Sequence, residues 1–183
     1  MIVAFDASIL IYVIDAEANP PIDPRTGDPV DHCQERVIHL LETLQQASAK
    51  IVIPTPALAE VLVRATSAAP AFLRILGSSR HFRIAGFDER AAVEFAARQA
   101  QRIAAGKRSA RGSRTKAKFD DQIVAIAAVE GATMVYSEDE DIAKLADDRF
   151  HVIGIADIPL PPETAQGRLP LAAKDSNDPE QQP

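Results

Sequence analysis

Five short apolar runs set the terms for this chain: MIVAFD (residues 1–6), KIVIP (50–54), HFRIAG (81–86), ATMVYS (132–137) and FHVIGI (150–155). Each is too short to be a buried helix, and apart from HFRIAG they are too continuously apolar for a strand with one face in water. Segments of helical character separate them. A chain that alternates strand and helix in this way folds as βαβ units, with a mostly parallel sheet of about five short strands and helices on both faces, a three-layer α/β/α arrangement. In such folds a ligand binds in the crevice beyond the carboxyl ends of the strands.

The connecting segments carry their own signals. Ser8 is placed to cap a short helix through Tyr12 or slightly beyond. Val37, Leu40, Leu41 and Leu44 repeat at helical spacing between His32 and Lys50. Thr55-Pro56 reads as an N-cap and first-turn proline opening a helix to about Arg64, and Pro70 as the start of another that stops at Gly77. Asp88 caps a long helix ending at Gly106. FDDQIVAIAAVEG reads as a helix opened by Asp120 and stopped by Gly131, and EDEDIAKLADD as a short one. The segment 16–31, with four Asp or Glu residues among its Pro and Gly, reads as a long loop. From Pro159 the chain loses apolar periodicity, so residues 1–158 are expected to form the domain and 159–183 a flexible tail.

The 183 residues suffice for one domain with a substantial core, aliphatic because Trp is absent and Tyr occurs only twice. A single cysteine, Cys33, excludes an internal disulfide and a cysteine-based zinc site. No apolar run approaches the ~20 residues that span a bilayer. The N-terminus lacks the basic lead and cleavage site of a signal peptide. The expectation is a soluble cytoplasmic protein. A net charge of −6 argues against a general nucleic-acid coat. The strip KRSARGSRTKAK (107–118) nevertheless carries six cations and no acid, directly before Asp120 and Asp121.

Asp6 ends the first strand and Asp139 follows the fourth, so both belong at the carboxyl edge. Glu60 lies one turn into its helix, and the dipole at the start of a helix would favour Asp120. Taken singly, each acid has an ordinary explanation: a cap for Asp6, a solvated helix face for Glu60, first-turn dipole partners for Asp120 and Asp121, a charged helix start for SEDED. Their convergence on one edge is what those explanations leave out. Converging carboxylates repel unless a cation neutralises them, and an all-oxygen pocket suits Mg²⁺ or Mn²⁺.

FDASILIY, PALAEVL and DDQIVAIAAVEGATMVYSEDEDI, in this order, make residues 1–155 resemble the PIN-domain ribonucleases, especially the toxins of bacterial VapBC toxin–antitoxin pairs. The resemblance implies a PIN-like fold and a Mg²⁺- or Mn²⁺-dependent endoribonuclease whose metal-binding and catalytic acids fall on Asp6, Glu60, Asp120 and Asp139. It gives Ser8 and Ser137 the positions of supporting hydroxyls, with Asp141 as a supporting acid. Asp121 offers a second carboxylate at its turn, although the spacing to Ile123 and Ala127 favours Asp120. The resemblance further implies an RNA substrate, a homodimer and a cognate antitoxin that masks the crevice. Arg111, Arg114, Lys116 and Lys118 of the basic strip are candidate contacts to RNA phosphates; a solvated loop is the alternative. The other reading of the whole chain is a non-catalytic PIN-like module that binds RNA or protein. A haloacid-dehalogenase-type phosphatase would need an acid at Ser8, and no glycine-rich phosphate loop is present.

Overall fold

A computed structural model describes residues 1–15, 17–106, 114–146 and 148–162, the side chains of Arg114 and Thr115 excepted. All five expected strands form: β1 (Ile2–Phe5), β2 (Lys50–Pro54), β3 (Phe82–Ala85), β4 (Met134–Tyr136) and β5 (His151–Ile153). They make one sheet in the order β3-β2-β1-β4-β5, and every pairing is parallel. Seven α-helices join them among the described residues: α1 (Ala7–Ile14), α2 (Cys33–Gln46), α3 (Thr55–Ala65), α4 (Ala69–Ser78), α5 (Glu89–Ala104), α6 (Arg114–Val129) and α7 (Glu140–Leu145).

From β1 the chain steps outward to β2 and β3, then returns past β1 to lay down β4 and β5. Right-handed crossovers running in opposite directions place their helices on opposite faces. The packing agrees: α1 touches α2 and α3, while α6 touches α5 and α7. The order reverses between β1 and β4. This is the topological switch point, where the loops leave in opposite directions and open a crevice.

Burial follows position in the sheet. Val3, Ala4 and Phe5 of β1, Ile51 to Ile53 of β2 and Val135 of β4 are buried, as strands covered on both faces must be. Val124 and Ile126 of α6 are fully buried beneath them. Each such Val, Ile or Phe side chain contributes about 1.5–3 kcal/mol relative to exposure. β3 and β5 are more exposed, as outer strands are, and edge strand β3 carries Arg83, ion-paired with Glu130.

Local chemistry sets the helix ends, with some departures from expectation. Asp88 accepts a hydrogen bond from the Ala91 amide at 2.9 Å and caps α5 as expected. Gly131, at φ +76°, ends α6 with its amide on Ala128 O and that of Ala132 on Ala127 O, a Schellman closure. Thr55 is the first residue of α3 rather than its cap, because Pro54 already occupies the extended position before it. α4 runs through Gly77 to Ser78.

The largest departure concerns α6, which starts at Arg114. Asp120 therefore does not open the helix but sits in its second turn, beyond the unpaired amides that would have favoured it. What the shift provides instead is a neighbour one turn back, Lys116.

Segment 17–31 is tied to the body at several points. It contains an Ile22–Pro29 bridge, and Arg25 joins it to Asp157 at 2.8 Å. Arg36 holds Asp31 at 2.8 Å and donates to Ile158 O at 2.6 Å, while Tyr12 Oη donates to Asn19 O at 2.7 Å. The expected tail lies outside the described residues from 163 onward, as do residues 107–113 of the basic strip. No helix among the described residues is long and apolar enough to cross a membrane.

Candidate functional site

Asp6 leaves β1 at the switch point, and its amide joins Tyr136 O of β4 at 3.0 Å. It occupies the N-cap position of α1, yet its side chain makes no cap hydrogen bond. Oδ2 instead accepts from Ser8 Oγ and Ser137 Oγ, each at 2.9 Å. Each hydroxyl in turn accepts a backbone amide at 3.0 Å, Glu138 N on Ser8 Oγ and Asp139 N on Ser137 Oγ. Two hydroxyls thus stitch the end of β1 to the turn after β4 and fix the carboxylate's orientation. They are the supporting positions expected from the sequence, and the linkage spans 131 positions.

Asp139 caps α7, its Oδ1 accepting from the Asp141 amide at 2.7 Å. Its Oδ2 takes Lys116 Nζ at 2.6 Å. The same ammonium lies 3.5 Å from Asp120 Oδ2 and 3.6 Å from Asp141 Oδ2. Asp120, Asp139 and Asp141 each turn an oxygen into a group whose atoms all lie within 4.8 Å of one another. Asp141, expected only to support the site, is one of the three.

Charge and burial act on these groups unequally. Burial, then the Asp139 charge and less strongly that of Asp6, raises the Asp120 pKa to about 6, against the pull of Lys116. Burial also pushes Asp139 upward, but Lys116 and the amides of Asp141 and Ile142 outweigh it and hold that carboxyl below its usual range. Among the described residues Asp120 Oδ2 is buried and accepts no hydrogen bond, and the Lys116 ammonium at 3.5 Å offsets its charge. A hard divalent cation is what such an oxygen, among further carboxylates, would hold. The residues fit one.

Asp120 and Asp139 open onto a cleft of about 720 Å³. Asp6, Ser8, Glu138 and Asp139 line it from the strand ends, Lys116, Phe119, Asp120 and Ile123 from α6, and Pro56, Glu60 and Val63 from α3. Asn19 and Pro21 bring the tied-down segment to its wall. Glu60 shares the cleft but stands apart from the three-carboxylate group, exposed and paired with Arg64 at 3.5 Å. Asp121 points elsewhere: it is buried and accepts from Gln99 at 2.6 Å and Arg102 at 2.5 Å, joining α6 to α5. Of the basic strip, Arg111 and the Arg114 side chain lie outside the described residues, and Lys118 is exposed.

Three features escaped the sequence reading. Lys116, expected at RNA phosphates, has its ammonium among the acids. Its spacing of four from Asp120 would have signalled this had the helix been read back to Arg114. Glu138 lines the cleft and braces its floor by accepting from the Ile155 amide. Gly154 permits that approach, since a Cβ there would lie 3.0 Å from Glu138 Oε1. Phe119, half exposed, gives the cleft an aromatic wall.

No family model and no curated protein matches the sequence. Solved structures do match the fold. A chain of VapBC2 from Rickettsia felis, determined bound to a DNA fragment from the promoter, superposes with a TM-score of 0.56 at 16% identity, over 84% of this chain and 98% of that one. DNA-bound VapBC from Salmonella typhimurium gives 0.54 at 14% identity, over 85% and 98%. VapBC-1 from nontypeable Haemophilus influenzae gives 0.54 at 12% identity, over 85% and 98%. The chain has the PIN-like fold of these VapBC structures. At such identities the likeness is one of architecture, and it accounts for nearly the whole of each matched chain.

Proposed function

We propose that this chain is a metal-dependent endoribonuclease, the toxin of a type II toxin–antitoxin pair, acting in the cytoplasm. The observation that carries the proposal is the group of Asp120, Asp139 and Asp141 at the switch-point edge of a VapBC-type fold. Asp6 and Glu60 line the same cleft and complete the acidic wall. Asp6, Glu60, Asp120 and Asp139 are assigned as the catalytic and metal-binding acids, with Asp141 beside them and Ser8 and Ser137 holding Asp6. Asp121 supports the site only by fixing α6 against α5.

A bound Mg²⁺ or Mn²⁺ would supply a water acidic enough to attack and a Lewis acid for the scissile phosphate. The chain's own part is placement. Asp120 and Asp139 present charge at one point, and the two serine hydroxyls keep the Asp6 carboxylate from rotating. Glu60, on a separate helix, lines the same cleft, exposed and paired with Arg64. Phe119, Ile123 and Val63 form an apolar wall beside these acids, suited to a base splayed out of a single strand or loop. Lys118 and the remaining cations of the strip would draw in phosphates without reading sequence.

The partner reading rests on the same likeness: the matched structures are VapBC assemblies, two of them holding DNA. A cognate antitoxin covering the acidic cleft, and a homodimeric toxin, are proposed on that basis. The purified chain should cleave single-stranded or loop RNA in Mg²⁺ or Mn²⁺ and stop in EDTA, with D139N inactive in either metal. Cleavage that persists in excess chelator and survives D139N would refute the proposal. Metal binding without cleavage of any RNA would favour the non-catalytic module instead.

A further inference from the structure

One ammonium, Lys116 Nζ, stands among the three carboxylates whose oxygens converge, at 2.6 Å from Asp139, 3.5 Å from Asp120 and 3.6 Å from Asp141. An ordinary surface lysine pairs with one acid and gains little by it. This one reaches all three converging carboxylates, two of which, Asp120 and Asp139, are among the acids proposed to hold a metal. Its helix carries both the cation and, one turn on, a ligand, so α6 delivers the two together. Lys116 remains about half exposed, with a side-chain exposure of 52%. Its flexible stem therefore has solvent to swing into, and leaving would return rotamer freedom.

We infer that Lys116 is a resident counter-ion that holds the cation position of the acidic group in the metal-free protein and gives it up to a divalent metal. The inference rests on the metal-site reading above and extends it. A single positive charge offsets only part of three carboxylates, so the arrangement relieves their repulsion yet leaves the group open to exchange with a doubly charged ion. Lys116 then sets how much free metal the protein needs before its site is filled. Bound metal and ammonium are like charges competing for the same oxygens. Removing the ammonium should tighten metal binding, whereas a merely structural lysine would leave it unchanged or weaken it.

The test uses the full chain, stripped with EDTA and dialysed, titrated with MnCl₂ or MgCl₂ by calorimetry at low ionic strength. K116M should bind metal roughly tenfold tighter than the parent chain, the order expected from deleting one like charge beside the ion. K116R, which keeps the charge, should stay near the parent affinity. Without metal, K116M should melt at a lower temperature than the parent and gain more from added Mg²⁺. Should K116M be too unstable in its metal-free form, K116Q read in the same titration decides. Equal or weaker metal binding by a folded, charge-deleted variant overturns the inference while leaving the metal site standing. Binding by neither protein removes the metal site itself, and this inference with it.

Discussion

Asp120→Asn should make the metal-free protein more stable while depriving it of metal. In the fold the carboxyl titrates near pH 6, against an ordinary 3.8. That difference is about two pKa units, and at 1.36 kcal/mol per unit it amounts to ~3 kcal/mol. The sign follows from which state holds the proton. Below pH 4 both folded and unfolded chains are protonated at this position, and the full stability is present. Between pH 4 and 6 the unfolded chain releases its proton first, so stability falls as pH rises and levels off beyond the folded pKa. At neutral pH the ionised Asp120 therefore destabilises the fold. Asn cannot ionise and escapes that cost, and the attraction of Lys116 at 3.5 Å is already included in the net shift.

Urea denaturation in EDTA would measure the result. D120N should exceed the parent chain by about 1–3 kcal/mol at pH 7.5, and the gap should shrink toward 1 kcal/mol or less at pH 4.5. Saturating Mg²⁺ should reverse the order, because only the parent gains binding energy from the ion. A D120N protein that is no more stable than the parent in EDTA at pH 7.5, with an unchanged denaturant slope, would refute the reasoning. A gap independent of pH would do the same.

Ser137→Ala should cost about 1–3 kcal/mol by urea denaturation, since it leaves the Asp139 amide without its acceptor and frees Asp6 to rotate; RNA cleavage should drop with it. Phe119→Ala should weaken binding of a single-stranded RNA by about 1–3 kcal/mol in fluorescence anisotropy if a base stacks there, with no change in metal affinity. Replacing Arg111, Arg114 and Lys118 with Ala should flatten the salt dependence of that binding by roughly 0.7 in logarithmic slope for each phosphate no longer neutralised, and an unchanged slope would return the strip to a solvated loop.

The alternation of apolar runs made the sheet legible because strands buried on both faces leave few residues for polar groups, whereas the strand order, and with it the switch point, comes from the fold. Helix boundaries were less legible where composition misled. Residues 114–118 follow a Gly-Ser step in a cationic strip without apolar periodicity, so the strip reads as loop, although Arg, Lys and Ala favour a helix and α6 runs back through them to Arg114. Asp6 shows the same limit in another form. Its N-cap position is written locally, but the hydroxyl that diverts it from capping arrives from Ser137, which only the β1–β4 pairing brings near.

Asp121 and Asp120 make the contrast sharpest. They are adjacent, chemically identical and both buried, and the only local guide between them is the spacing to Ile123 and Ala127, which favours Asp120. On a helix, successive residues project about 100° apart, so one must face the cleft if the other faces α5. The partner of Asp121 is Arg102, on a helix ending 10 residues before α6 begins, whereas Asp120 meets Lys116 on its own helix and Asp139 beyond the next strand. The guanidinium neutralises one carboxylate permanently. The other is left with a half-exposed lysine, and that asymmetry separates a structural acid from the one proposed to hold a metal.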